Sequence, residues 1–148
     1  MVQDGLYILA GRPGMGKSAL GVSIAEYVAQ TVGKVDYFSL EMSREQIMAR
    51  RLSSLSKVDS KLILMDTLTA DEYKRMIEAT RKEAATPFYC TNGRAQSAQR
   101  ITSIARAGRD VKLVVVDHFG LILRPGKRQD ADESREIAHA LKRLAQSL

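Results

Sequence analysis

Residues 11–18 read Gly-Arg-Pro-Gly-Met-Gly-Lys-Ser, which fits the pattern G-x-x-x-x-G-K-[ST]. No other stretch constrains the chain as strongly, because the pattern works only between a strand and a helix. An apolar run, LYILA at 6–10, precedes it. A helical pattern over 17–31 follows, with Leu20, Ile24, Tyr27 and Val28 on one face. Glycines let such a loop curl until successive N–H groups point inward at an anion. The helix N-terminus adds its positive dipole at the same place. Gly11, Arg12, Pro13, Gly14, Met15, Gly16, Lys17, Ser18 and Ala19 are therefore the candidate phosphate-binding residues. Lys17 is expected to reach the β- and γ-phosphates, and the Ser18 hydroxyl to ligate Mg²⁺. A glycine-rich turn with no ligand does not account for a Lys-Ser pair at that spacing.

The rest of the chain alternates in kind. Strand-like runs lie at 35–40 (VDYFSL), 87–91 (PFYCT) and 112–116 (KLVVV). Ser43 with Gln46, and Thr69 with Glu72, fit capping boxes that open helices to about 56 and 85. Residues 97–108 read as a helix stopped by Gly108, and 132–146 as an amphipathic helix with Ile137, Leu141, Leu144 and Ala145 on one face. Arg50 and Arg51 are expected on a helix surface or at a subunit contact. Alternating strands and helices predict an α/β fold in one domain, with a mostly parallel sheet flanked by helices and right-handed crossovers. Ligands then bind at the carboxyl ends of the strands.

Asp117 ends the apolar run Leu113-Val-Val-Val and can accept hydrogen bonds from magnesium-bound water there; the bland alternative is a loop-capping aspartate. A phosphate loop alone does not separate a nucleotide hydrolase from a small-molecule kinase. A hydrolase needs a group that orients or deprotonates water. The residue after Asp117 is His118. Consecutive strand residues face opposite sides, so His118 is expected to turn away unless the chain bends, as a packed or hydrogen-bonded residue. Glu41 is the better candidate, because it follows the second strand at the same sheet edge as the phosphate loop. It also precedes the Ser43 cap, so a role in favouring the helix dipole stands beside the catalytic one.

Bulk properties bound the partners. Hydrophobic residues make up 45% and charged residues 27% of the 148. The one cysteine, Cys90, excludes an internal disulfide and fits a reducing compartment. No apolar run approaches the roughly 18 residues of a membrane helix, and the start lacks a signal-peptide layout. A soluble, cytoplasmic protein is expected. Net charge is +6, and residues 91–148 hold eleven of the 23 basic groups but only six of the 17 acidic ones. That imbalance suggests an anionic partner, or else a solubilising surface. Arg124, Lys127 and Arg128 form a basic loop after the Asp117 strand. They are candidates for sequence-independent phosphate contact with nucleic acid, or for a solvated loop.

Ser39-Leu-Glu-Met-Ser-Arg-Glu-Gln-Ile-Met-Ala-Arg-Arg-Leu52 resembles the DnaB-type replicative DNA helicase family in its RecA-like C-terminal ATPase domain. GRPGMGKS, Leu55-Ser-Lys-Val-Asp59 and the ending Glu136-Ile137…Leu141-Lys-Arg-Leu-Ala145 resemble it too, so the likeness covers nearly the whole chain. The resemblance implies a RecA-like P-loop NTPase using ATP and Mg²⁺. It implies Lys17 and Ser18 as phosphate and magnesium residues, Glu41 as the catalytic glutamate and Asp117 as the second motif's acid. It implies homo-hexameric rings on single-stranded DNA, ATP between neighbouring subunits, and a primase or helicase loader as partner. His118 departs from the tyrosine often found there, and Thr91-Asn92 stand where acidic residues are common. The family's N-terminal helicase domain and the strands after Leu148 are not in the sequence. A partial ATPase domain over 1–148 is thus expected, with a lane open in the sheet between the phosphate-loop strand and the Asp117 strand. A regulatory ATPase without unwinding activity, a small-molecule kinase and an inactive fragment are the rival readings.

Overall fold

The computed structural model describes residues 4–93, 96–122 and 131–148. Helix α1 spans Lys17–Thr31, strand β1 Lys34–Ser39, helix α2 Arg44–Ser56 and the short α3 Ser60–Met65. Helix α4 spans Ala70–Ala84, β2 Phe88–Asn92, α5 Ala98–Ala107 and β3 Val111–Asp117. A 3-10 turn at Phe119–Leu121 and helix α6, Ala131–Ala145, complete the order.

The local signals that predicted these helices are present as bonds. Ser43 Oγ accepts the Gln46 N–H at 3.3 Å, and the Gln46 side chain accepts the Ser43 N–H at 2.9 Å. Thr69 and Glu72 repeat the arrangement at the start of α4. Ser97 caps α5 through the Arg100 N–H. Gly108 does end α5, but in an extended conformation (φ −73°, ψ 114°) and not the left-handed one. A Cβ at Gly108 would stand 2.9 Å from Val111 Cγ2 and 3.0 Å from Lys34 Nζ, so close approach of neighbouring side chains is what requires glycine there. Helix α3 was not expected. Asp59 caps it through the Lys61 N–H, but six residues are too few to show a helical period.

The sheet order is β2-β1-β3, with β1 parallel to both neighbours. Val35 and Tyr37 point to one face, where Val22, Ala25 and Ala29 of α1 and Ile47 of α2 close over them. Phe38 and Leu40 point to the other, against Ala98, Ile101 and Ala105 of α5 and Ile137, Leu141 and Leu144 of α6. Two helical layers thus enclose the sheet, as parallel sheets require.

Three expectations need correction. The run at 6–10 forms no strand. Tyr7, Ile8 and Leu9 are 50%, 79% and 50% exposed, and only Leu6 packs on the α5–α6 core. Among the described residues the sheet consists of β2, β1 and β3, and 6–10 is not one of its strands. The buried stripe of α1 is Val22, Ala25, Glu26 and Ala29, while Leu20 and Tyr27 are exposed. Small alanines let the helix lie close on the sheet, and Glu26 turns inward because a cation waits there.

That cation is Arg51, fully buried and not on the surface. Its Nε donates to Glu26 Oε2 at 2.6 Å and its Nη1 to Glu83 Oε1 at 2.5 Å. The guanidinium lies 3.8 Å from the Phe88 ring centroid. One side chain therefore ties α1, α2, α4 and β2 together. A buried pair is a weak net stabiliser, but removing one partner strands the others. Arg51→Ala is expected to lower the unfolding free energy by about 3–5 kcal/mol in urea titrations, with part of the loss recovered by adding Glu26→Gln.

Candidate nucleotide site

The parallel pairing sets every strand's carboxyl end on one edge. Ser39 lies in register with Asn92 on one side and Asp117 on the other. The Leu40 N–H donates to the Asp117 carbonyl at 2.6 Å, so the two chains leave the sheet side by side. Ser-Leu-Glu-Met then divides its work. Ser39 Oγ donates to the Met42 carbonyl at 2.7 Å and fixes the turn. Leu40 is buried on one face and Met42 packs on the other. Glu41, anchored from both sides, is left projecting at the edge with its side chain 62% exposed.

Asp117 is 9% exposed. The Tyr37 hydroxyl donates to its Oδ2 at 2.9 Å. Burial first, and then the Asp117 charge, push the Tyr37 phenol far above its usual range, so it stays a donor. Its ring stacks on Phe88 at 5.7 Å between centroids. Tyr37 was not anticipated as a site residue. Alternation along VDYFSL places it on the α1 face, but only strand pairing reveals that the Asp117 carboxylate meets it there.

The glycine-rich segment leads straight into α1. Gly14 (φ 80°) and Gly16 (φ 82°) are left-handed, and Gly16 is the residue that starts the helix. Lys17 Nζ donates to the Arg12 carbonyl at 3.0 Å, and Met15 N–H to the same oxygen at 3.3 Å. Gly11, Arg12, Pro13, Gly14, Met15 and Gly16 are exposed, as is Ala19, while Lys17 and Ser18 are half-buried. Helix α1 packs on β1 and β3, and a Cβ at Gly21 would come 3.7 Å from the Tyr37 hydroxyl. The loop's helix is thereby seated over the Tyr37–Asp117 pair. A hydroxyl at Ser18 and a carboxylate at Asp117 are hard oxygen donors of the kind Mg²⁺ takes alongside phosphate and water.

His118 does not turn away. Strand alternation ends with Asp117, and the chain passes directly into the 3-10 turn. The imidazole lies over Gly120, and its Nδ1 faces Glu41 Oε2 at 3.9 Å. Arg124, Lys127 and Arg128 lie outside the described residues.

A RecA-like P-loop fold with a nucleotide-type loop at its carboxyl edge defines the class. The family model for the DnaB-like helicase C-terminal domain matches residues 1–148, and the chain belongs to that family. It is 35% identical over 150 residues to the replicative DNA helicase DnaB of Buchnera aphidicola, covering 97% of this chain and 32% of that one. The corresponding protein of Rickettsia prowazekii is 33% identical over 162 residues, again 97% and 32%. The chain thus spans about a third of the length of these relatives. A solved DnaB-like replicative helicase, described with its interactions with primase, superposes with a TM-score of 0.79 at 21% identity, over 92% of this chain and 34% of that one. A solved ATPase domain gives 0.80 at 21%, over 92% and 51%. Among the described residues no helix is long and apolar enough to cross a membrane.

The Tyr37–Asp117 bond can be measured directly. Tyr37→Phe is expected to cost about 1–3 kcal/mol in urea unfolding, as for a buried hydrogen bond to a charged acceptor. A cycle with Asp117→Asn should show the two losses to be non-additive.

Proposed function

We propose that residues 1–148 are the ATP-binding and ATP-hydrolysing part of a replicative DNA helicase, a partial RecA-like domain in one piece. The observation that carries the reading is the pairing of Ser39 with Asp117 beside α1, which sets Glu41, Asp117 and the phosphate loop along one sheet edge. Lys17 and the loop N–H groups bind the phosphates. Ser18 and Asp117 would hold Mg²⁺, with Tyr37 orienting the carboxylate. The chemistry such a metal would supply is neutralisation of charge on the transferring phosphate oxygens. Glu41 projects free of the core and aligns and deprotonates the attacking water.

Hydrolysis at the interfaces of a homo-hexamer in the cytoplasm then drives movement along single-stranded DNA and unwinding. Arg124, Lys127 and Arg128 contact the strand's phosphates, and a primase or helicase loader docks on the ring. The family match and the DnaB relatives support this wider reading. A second reading, a RecA-like regulatory ATPase or inactive helicase fragment, is favoured by the exposed run at 6–10 beside the glycine-rich loop, which forms no strand. DNA-stimulated turnover together with strand separation supports the first reading, and nucleotide binding with neither supports the second.

The site assignment is tested with two substitutions. Lys17→Ala is expected to abolish binding of a fluorescent ATP analogue. Glu41→Gln is expected to bind it normally while phosphate release falls by about 100-fold or more. Undiminished release by Glu41→Gln would remove Glu41 from the mechanism.

A further inference from the structure

His118 follows the candidate metal acid in sequence, yet it faces the candidate base. Its Nδ1 is shut off from solvent and has no hydrogen-bond partner. A buried polar nitrogen without a partner carries a desolvation cost, so its surroundings call for explanation. The acceptor it faces is Glu41 Oε2, at 3.9 Å. The imidazole rests against Gly120, with ring atoms 3.6–3.9 Å from where a Cβ would be. The ring is thus backed on one side, while Glu41 itself is largely solvated and, among the described residues, faces no other cationic side chain.

The geometry points to His118 as the positioning residue of Glu41. This role rests on the proposed role of Glu41 as water-activating carboxylate. Nδ1–H donates to the carboxylate, and the hydrogen is present on Nδ1 both in one neutral tautomer and in the cation. Closing 3.9 Å to hydrogen-bond length takes a movement of about 1 Å. Catalytic hydrogen bonds commonly shorten in this way when substrate binds. Held so, one Glu41 oxygen is occupied and the other is aimed at water. An exposed glutamate otherwise samples several rotamers, of which few are productive.

The test has one reading on the unliganded protein and one on turnover. The chain contains two histidines, His118 and His139. In ¹⁵N spectra without nucleotide, Glu41→Gln is expected to shift the His118 Nδ1 resonance and leave His139 in place. An unmoved His118 resonance overturns the contact. In steady-state ATP hydrolysis, His118→Ala is expected to lower kcat by about 10- to 100-fold with KM within about twofold. His118→Asn, whose amide N–H stands near the position of Nδ1–H, is expected to recover most of that loss. In a Glu41→Gln background His118→Ala is expected to add no further loss. An unchanged kcat in His118→Ala, an equal loss in the Asn and Ala variants, or full additivity with Glu41→Gln would each overturn the proposal. Undiminished turnover in Glu41→Gln alone would instead overturn the role of Glu41, a different result from any of these.

Discussion

The parallel pairing of β1 with a neighbour on each side is the constraint from which the rest of the molecule follows. Parallel pairing sends all three carboxyl ends to one edge, and it requires helices on both faces to bury the strands. The one-residue register does the finer work. Because Ser39 sits opposite Asp117, the Leu40 amide bonds the Asp117 carbonyl, and Glu41 and His118 emerge as neighbours. A slip of one residue would turn Tyr37 to the opposite face and separate it from Asp117.

Beneath that edge runs a continuous line of contacts. Arg51 is held by Glu26 and Glu83 and lies on Phe88; Phe88 stacks on Tyr37; Tyr37 bonds Asp117. A buried ion pair is a costly way to stabilise a fold, and an apolar trio of similar volume serves as well or better. Here the pair gives placement. It locks the helix that follows Ser-Leu-Glu-Met to α1, the helix that carries the phosphate loop, and it sets the ring that carries the hydroxyl for Asp117.

Much of this architecture was legible in advance, and the reasons are local. Capping boxes at Ser43 and Thr69 close rings of a few residues, so short stretches suffice to predict them. Strands at PFYCT and KLVVV announce themselves by apolar runs between breakers. The glycine-rich loop is legible because its glycines and its Lys-Ser pair fall at a fixed spacing between an apolar run and a helix. The failures are equally physical. A strand is defined by its pairing in a sheet and not by apolar content, and the apolar run at 6–10 forms none. The inward face of α1 was misread because Leu20 and Tyr27 outweigh alanines on any hydrophobic count, whereas close packing on a sheet favours small residues. Arg51 was misread because charge is normally a surface property, and its two acidic partners lie 25 and 32 residues away.

The amino-acid sequence by itself determined the class of fold, the place of the glycine-rich loop before α1, the capped starts of α2, α4 and α5, and the candidacy of Lys17, Ser18, Glu41 and Asp117. Each of these rests on residue type and short spacing, and such signals act within a turn or two of chain. Only the tertiary structure decided that Tyr37 holds Asp117, that Arg51 lies in the core, and that His118 leaves the strand's alternation to stand beside Glu41. Those are relations between residues separated by tens of positions. They depend on strand register and on where the chain bends, which no local pattern encodes.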